Sequence, residues 1–412
     1  MSFQSSHKIE SPPQTLLVEP IVGTYHVKLS TRCQDGKVWS RELPIIGTVV
    51  TNNSGVLEMN GEPFIVKGVN VHGMISDSPE RNRHLQRFLK DIGFNMLRGD
   101  YPPPWQVEMA GEENIGYMVL APFSVTHTDL LKERHGERAF PKMREVSRRF
   151  IRTYRDLPAV WLWNSCNEIE GELDDFLVTL HPLYRALDPA DRPVVYANLF
   201  GQDRTLGMDV MAVNYYYGPP QMARDRWPLI QRSIEESRKA KVPCIYTEYN
   251  CWYGPVYSRG VESVEDFFVK GIEWGMQGGF QFMLPDHPDR HPGVIDTRER
   301  LRTNPTYLAS LKDAFADAEL EPVSRERGSI LLSIRNRRPF TLRKVRYRIE
   351  ELGRVLAEGE LRDIEPHGSG RIPRILDKGG EGRILRARID FETHHGLRCK
   401  VEDELRLPAA QR

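Results

Sequence analysis

Two glutamates follow apolar, strand-like runs in the middle of the chain, and together their side chains could perform acid–base chemistry. Glu168 follows the run Val160–Ser165, and Glu248 lies in the run Cys244–Tyr249. Two carboxylates facing one pocket suffice to cleave a glycosidic bond, because one protonates the leaving oxygen while the other attacks the anomeric carbon. Different surroundings can keep one carboxyl group protonated and the other ionised.

Such a pair needs a fold that brings two distant strand ends together. Apolar runs predict eight strands, and patterns of helical spacing lie between most of them. The strands are Ile65–Val71, Asn95–Arg98, Tyr117–Pro122, Val160–Ser165, Val194–Asn198, Val210–Tyr216, Cys244–Tyr249 and Phe280–Leu284. The helices are Arg81–Ile92, Phe140–Tyr154, Leu173–Leu187, Trp227–Lys241 and Val264–Met276.

Eight strand-then-helix units in about 260 residues predict an α/β fold of the (β/α)8 TIM barrel type. A doubly wound open sheet is the alternative, and the absence of a GxGxxG motif after the first strand disfavours it. The carboxyl ends of barrel strands meet at one mouth. Glu168 and Glu248, at the ends of strands four and seven, would therefore face each other across it.

The chain divides into three regions by pattern. Residues 57–318 form the predicted barrel, which opens with the hairpin Val56–Val66 and its Asn60-Gly61 turn. Residues 1–56 form a short β-rich N-terminal segment, with strand-like runs at Thr15–Val18, Tyr25–Ser30 and Pro44–Thr51. Residues 319–412 predict a C-terminal all-β sandwich. We expect the sandwich to support the barrel, with carbohydrate binding as the alternative.

Five segments in the barrel region resemble the catalytic domain of glycoside hydrolase family 2. This is the group of β-galactosidases, β-glucuronidases and β-mannosidases, in clan A of the retaining glycosidases. The segments are the entry hairpin and first strand Gly61–His72, the second strand Gly93–Arg98 followed by Tyr101-Pro102, the acid/base segment Leu157–Glu168, the sixth strand Asp209–Tyr216 and the nucleophile segment Val242–Tyr249.

The resemblance implies a role for each matching residue. Glu168 would be the general acid/base and Glu248 the nucleophile. Asn167 would donate a hydrogen bond to the sugar 2-hydroxyl, a contact that strengthens in the transition state. Tyr216 would hydrogen-bond Glu248, and the adjacent charge of Arg98 would hold Glu248 ionised. No cofactor is expected.

Further residues at the predicted mouth would contact the sugar. The resemblance places His72 and Asn214 in the sugar-binding subsite, with a buried structural histidine as the alternative for His72. Trp105, Trp252 and Tyr253 are predicted to lie in loops at the mouth, where aromatic rings either stack on sugars or serve only in packing.

The chain also departs from the family pattern at three points. Phe282 stands at the end of strand eight, where the family usually has a tryptophan. The second strand continues Gly99-Asp100-Tyr101, where many members have a Ser-His pair. The Asn-x-Lys element with which glucuronidases hold a uronic carboxylate is not evident around residues 291–300.

Composition narrows the remaining classes of function. Lys plus Arg and Asp plus Glu are each 57, which argues against a nucleic-acid partner. No apolar run approaches the roughly 18 residues of a membrane span, and Met1–Gln14 lacks the apolar core of a secretory signal. Five scattered cysteines fit a cytoplasmic protein. Secretion is the alternative if the chain is a mature form.

Other reactive side chains favour structural roles. Cys166 and Cys251 lie near the two glutamates, but no histidine base is indicated, so we interpret them as packing residues. The run Asp286–His291 has the composition of a metal site, yet a polar loop is the favoured interpretation and no metal is expected.

The sequence thus predicts a retaining β-glycosidase that acts through a covalent glycosyl-enzyme intermediate. Its partner would be an oligosaccharide or glycoside substrate, and the oligomeric state is open, a homo-oligomer included. One alternative is a carbohydrate-binding pseudoenzyme or structural subunit on the same barrel. Another is an endo-acting glycanase of the same clan, which would have an open cleft.

Overall fold

The computed structural model describes most of the chain. The described residues are 25–32, 38–45, 49–51, 55–59, 62–72, 75–123, 133, 136–169, 174–199, 207–217, 227–251, 257–286, 292–296, 304–326, 328–376, 383–394, 396 and 398–407.

The N-terminal segment consists of short antiparallel strands. Strands β1 (Tyr25–Arg32) and β2 (Val38–Ile45) pair with each other. Strands β3 (Val49–Thr51), β4 (Leu57–Met59) and β5 (Glu62–Pro63) form a small sheet. The pairing of β4 with β5 agrees with the predicted hairpin, whose Asn60-Gly61 turn lies outside the described residues, as does the predicted strand Thr15–Val18.

Eight parallel strands form a closed barrel, which confirms the predicted TIM-barrel fold. They are β6 (Val66–Asn70), β7 (Met96–Asp100), β8 (Gly116–Leu120), β9 (Val160–Asn167), β10 (Val194–Leu199), β11 (Val210–Tyr217), β12 (Cys244–Cys251) and β13 (Gly278–Gln281). Strand β13 pairs with β6, which closes the ring.

Helices connect the strands around the outside of the barrel. They are α1 (Pro79–Ile92), α2 (Pro104–Glu112), α3 (Ala139–Tyr154), α4 (Asp174–Leu187), α5 (Trp227–Ala240), α6 (Tyr257–Ser263), α7 (Lys270–Trp274) and α8 (Pro305–Phe315). A 3-10 turn, Gly136–Arg138, precedes α3, and a π-helical turn, Val264–Val269, joins α6 to α7.

Helix α1 shows how local sequence sets these boundaries. The Ser78 side chain accepts a hydrogen bond from the backbone N–H of Arg81 and caps the start of the helix. Gly93 ends it with φ of 110°, a left-handed conformation that glycine adopts without steric cost. Leu85, Leu89 and Ile92 lie on the buried face, so the helix packs against the barrel.

The structure corrects the prediction at four elements. Trp105 lies in helix α2 and not in a loop. The helical segment after strand seven begins at Tyr257, seven residues before the predicted start at Val264. The eighth strand spans Gly278–Gln281 and not Phe280–Leu284. Helix α8 was not predicted at all.

Two apolar cores hold the barrel together. The inner core fills the lower part of the barrel, and Leu57 and Met59 of β4 join it, so the entry hairpin closes the bottom. The outer core lies between the strands and the helices and continues into the C-terminal region. Because the lower barrel is filled with side chains, a ligand can enter only from the opposite end.

The C-terminal region is a two-sheet β-sandwich, as predicted. One sheet contains β14 (Ala318–Glu326), β15 (Ser329–Asn336), β18 (Ser369–Arg371) and β19 (Ile375–Leu376). The other contains β16 (Arg343–Glu351), β17 (Arg354–Glu360), β20 (Ile384–Glu392) and β21 (Arg398–Arg406). Val345, Tyr347 and Ile349 are buried on alternate positions of β16.

A buried cluster of charges joins the barrel to the sandwich. Lys67, on the first barrel strand, donates a hydrogen bond to the carbonyl oxygen of Phe315, and its Nζ lies 3.7 Å from Oδ2 of Asp317. Asp317 is also paired with Arg338. Burial, and then the charge of Arg338, lower the pKa of the Lys67 ammonium to about 7.

No helix in the described part of the chain has the length and apolar character that crossing a membrane requires.

Candidate active site

An ion pair between Glu248 and Arg98 lies at the centre of the barrel, above the inner core. Glu248 comes from β12 and Arg98 from β7, and the Nη1 atom of Arg98 lies 2.6 Å from Oε1 of Glu248. The side chains are 7% and 1% exposed. Each charge is costly to bury alone, so each partner compensates the other.

The guanidinium of Arg98 also contacts three asparagines on neighbouring strands. Nη1 donates to Oδ1 of Asn70 at 2.7 Å, Nε donates to Oδ1 of Asn164 at 2.9 Å, and Nη2 donates to Oδ1 of Asn167 at 2.7 Å. The planar guanidinium has its donors in a fixed geometry. Arg98 therefore fixes the positions of side chains from β6, β9 and β12 relative to β7.

A phenol completes the surroundings of Glu248. The hydroxyl of Tyr216, near the end of β11, donates a hydrogen bond to Oε2 of Glu248. Burial, and then the negative charge of Glu248, hold the pKa of the Tyr216 phenol well above its usual range. Tyr216 therefore stays protonated and remains a hydrogen-bond donor to this carboxylate at any working pH.

Glu168 lies across the mouth, immediately after β9, in a different setting. The amide Nδ2 of Asn214 donates to Oε1 of Glu168 at 2.8 Å and to Oδ1 of Asn167 at 3.1 Å. The backbone of Glu168 is left-handed, with φ of 53°, and its N–H donates to the carbonyl of Ala197 at 2.8 Å. The two glutamates thus belong to one hydrogen-bonded network, but they have different partners.

Aromatic and polar groups line the next level toward the mouth. Nδ1 of His72 lies 2.9 Å from Oδ2 of Asp100. The ring of Phe282, just after β13, meets the edge of His72 at 5.0 Å between centroids and that of Tyr216 at 5.5 Å. The peptide bond between Phe282 and Met283 is cis.

The structure brings together eight of the nine residues that the sequence placed at the site. Arg98, Asn167, Glu168, Asn214, Tyr216 and Glu248 share one network, and His72 and Phe282 adjoin it. Trp252 lies outside the described residues. The chemical roles of these residues stay predictions.

Sequence reasoning missed two members of the network, Asn70 and Asn164. Both are almost completely buried, and each ends or interrupts an apolar strand. A polar residue within such a run must find a hydrogen-bond partner in the interior. That signal could have identified them.

The nearby thiols are unsuited to nucleophilic chemistry. Burial raises the pKa of the Cys166 thiol well above its ordinary value, and Cys251 is also buried. Both observations fit the packing interpretation. In the described residues no three His, Cys, Asp or Glu side chains cluster as a metal site requires. Of the run Asp286–His291, only Asp286 is described.

Comparison with curated proteins finds relatives that cover part of the chain. No protein-family model matches it. A β-galactosidase of Enterobacter cloacae is 28% identical over 182 residues, which are 40% of this chain and 16% of the relative. A β-glucuronidase of Rattus norvegicus is 29% identical over 189 residues, which are 42% of this chain and 28% of the relative. The matches thus span less than a third of each relative.

Solved structures share the fold. A Bifidobacterium dentium β-glucuronidase has a TM-score of 0.56 and 17% identity, over 68% of this chain and 50% of the other. A calcium-binding mutant of Bacteroides uniformis β-glucuronidase 2 has a TM-score of 0.52 and 15% identity, over 94% of this chain and 51% of the other. The resemblance to the family 2 glycosidases is confirmed, as is the barrel-and-sandwich fold.

Proposed function

We propose that this chain is a retaining β-glycosidase of the glycoside hydrolase family 2 type. One observation is central to the proposal. A buried glutamate, Glu248, is held by Arg98 and Tyr216, and through Asn167 and Asn214 it shares a network with a second glutamate, Glu168. The names of the similar proteins, β-galactosidase and β-glucuronidase, support the same class of substrate.

In the first step Glu248 is the nucleophile. Its carboxylate oxygen bonds to the anomeric carbon while the bond to the aglycone oxygen breaks. Glu168 gives its proton to that departing oxygen. Arg98 and Tyr216 favour this assignment, because a cation and a hydrogen-bond donor both stabilise a carboxylate in its ionised form.

In the second step Glu168, now ionised, accepts a proton from a water molecule. The water oxygen bonds to the anomeric carbon, the bond to Glu248 breaks, and the sugar leaves with its original configuration. The two different settings suit the two roles, since only Glu168 must exchange its proton in each turnover.

Asn167 is positioned to recognise the sugar itself. Its Oδ1 accepts hydrogen bonds from both Arg98 and Asn214, which fixes the orientation of the amide. The Nδ2 group must then point away from those two donors. In the proposed complex this N–H donates to the sugar 2-hydroxyl.

The remaining predicted residues form the walls of the sugar site. In this proposal His72 and Phe282 contact the sugar from the side of strands β6 and β13, and Trp252 adds a ring at the mouth. Residues 57–318 are the catalytic domain, and residues 319–412 form a sandwich that supports it.

Azide rescue of two alanine variants tests the two roles. Glu248→Ala should lose several orders of magnitude in kcat on nitrophenyl β-glycosides, and azide should restore turnover with an inverted product. Glu168→Ala should still form the intermediate from substrates with good leaving groups. Azide should then accelerate the second step and give a product of retained configuration, because azide needs no general base.

A matched variant and a substrate panel complete the test. Glu145→Ala removes an exposed glutamate from α3 and should leave kcat unchanged. Exchanged stereochemistry in the two rescues would reverse the roles of the glutamates. If the unmutated protein turns over no β-glycoside, the proposal is wrong and the binding-protein alternative is favoured.

A further inference from the structure

A second polar pair stands directly above the central network, nearer to the mouth. Asn70 and Arg98 are paired across β6 and β7. Asp100 lies two residues beyond Arg98 on β7, so both side chains are on the same face, about 7 Å apart along the strand. His72 lies two residues beyond Asn70 and contacts Asp100 at 2.9 Å.

The His72–Asp100 pair is exposed, whereas the Asn70–Arg98 pair below it is buried. The side chains of His72 and Asp100 are 36% and 47% exposed, but that of Arg98 is 1% exposed. A molecule entering the mouth therefore meets the upper pair first and cannot contact the buried guanidinium.

The exposed pair belongs to the same wall as the proposed nucleophile. The His72 ring packs on Phe282, Phe282 packs on Tyr216, and Tyr216 donates to Glu248. Asp100 is at the outer end of this series of contacts. A sugar held against Glu248 would accordingly face the wall of the mouth that carries the His72–Asp100 pair.

Among the described residues of the mouth, Asp100 adds a third carboxyl group to those of Glu168 and Glu248. The positive charge of Arg98 lies below them and already donates to four side-chain oxygens. A second anion in the mouth would be repelled by Asp100, although the exposure of this carboxylate lets water and salt screen part of the repulsion.

We propose that Asp100 determines the charge of the sugar that this site accepts, selecting glycosides of uncharged sugars over those of uronic acids. The inference rests on the proposed glycosidase function. Asp100 orients the His72 ring, so that Nε2 can hydrogen-bond a sugar hydroxyl, and its own charge repels a carboxylate at C6. Because Asp100 is 47% exposed, water and salt screen part of this repulsion, and we expect a preference of about tenfold.

Pairs of substrates that differ only at C6 test the inference. We would measure kcat/KM at low ionic strength for nitrophenyl β-glucoside against β-glucuronide, and for β-galactoside against β-galacturonide. The wild-type protein should favour the uncharged member of each pair. Asp100→Asn keeps the size and the contact with His72 but removes the charge, so the preference should fall about tenfold.

Binding provides a readout that does not depend on turnover. Calorimetry would compare isofagomine with its C6 uronic counterpart, and Asp100→Asn should narrow the difference in affinity by the same factor. High salt should narrow it in the wild-type protein as well. Asp91→Asn removes an exposed carboxylate near the end of α1. It should change neither the kcat/KM preference between the paired substrates nor the difference in affinity between the two inhibitors.

The outcomes distinguish a wrong role for Asp100 from a wrong glycosidase function. A wild-type preference for the uronides, or an active Asp100→Asn variant with an unchanged ratio, overturns the inference and leaves the glycosidase intact. Absence of both turnover and inhibitor binding overturns the glycosidase function, and the inference with it.

Discussion

Arg98 Nη1 lies 2.6 Å from Glu248 Oε1, and the two side chains are almost completely buried. The contact determines how the site should respond to substitution. Removing one partner of a buried pair leaves the other charge uncompensated, which typically costs 3–5 kcal/mol of stability. Replacing one cation by another keeps the charge and tests the geometry alone.

Arg98→Lys should lower kcat on nitrophenyl β-glycosides about a hundredfold or more. An ammonium group cannot donate to all four oxygens that the guanidinium contacts, so Asn167 and Glu248 lose their shared anchor. Steady-state kinetics on folded enzyme measures the change. Arg192→Lys is the matched control, because Arg192 is equally buried but pairs with Asp188 outside the site. Equal kcat losses in the two variants would contradict a special role for Arg98.

Tyr216→Phe should lower kcat about tenfold to a thousandfold, because Glu248 loses a hydrogen-bond donor. Since burial and Glu248 raise the pKa of Tyr216, this phenol is protonated throughout the working range, and the alkaline limb of the pH–rate profile should not move in the variant. Tyr249→Phe is the control. The Tyr249 hydroxyl is buried with no hydrogen-bond partner in the described residues, so its removal should change kcat less than twofold.

The carboxyl groups of Glu168 and Glu248 should lie about 5–5.5 Å apart in a crystal structure, because a retaining enzyme attacks the sugar directly. A gap in the roughly 6.5–9.5 Å range, with both side chains in the pocket, would instead fit an inverting enzyme. Proton NMR of the first-formed product shows whether its anomeric configuration is retained or inverted, which tests the mechanism independently.

Stability should depend on pH through Lys67. The pKa of this amine is lowered from 10.5 to about 7 in the folded protein, so between these values only the unfolded chain binds the proton. The free energy of unfolding of the wild type, relative to Lys67→Met, should therefore rise from pH 7 toward pH 10.5. This difference in the free energy of unfolding should rise by at most about 1.4 kcal/mol per pH unit. Below pH 7 it should not change with pH. Chemical denaturation of both proteins at several pH values measures it. A difference that falls with pH would contradict the burial of Lys67.

The fold could be predicted where side chains alternate or cluster by type. Seven barrel strands match apolar runs, with ends shifted by two residues at most. The eighth differs because it begins with Gly278 and Gly279, which contribute no apolar signal. At Gly278 φ is 84°, and a Cβ there would lie 2.0 Å from the carbonyl oxygen of Val66, so close strand approach selects glycine.

Helix α2 could not be recognised from its local sequence. Pro102 and Pro103 precede the helix, Pro104 is its first residue and Trp105 follows, a pattern that favours a loop. Proline is nevertheless well suited to the first turn of a helix, where its missing N–H has no partner to lose. The prediction that Trp105 lies in a loop was wrong because proline is common both at helix starts and in turns.

The candidate site was predictable at its carboxylates and at the residues that contact them, but not at the asparagines that support Arg98. Glu168 and Glu248 stand in recognisable strand-end segments. Asn70 and Asn164 show only the general signal of a polar residue in an apolar run, which does not reveal that both accept hydrogen bonds from Arg98 on another strand. That relationship exists only in three dimensions.

The contacts of Arg98 also have a consequence for the order of folding. Its partners Asn70, Asn164 and Glu248 lie 28, 66 and 150 residues away in the chain. Contacts of such long range must close large loops, which makes them slow to form. The pocket can appear only when the last strands join the first, so during refolding the binding of a sugar-like inhibitor should report ring closure rather than collapse or helix formation.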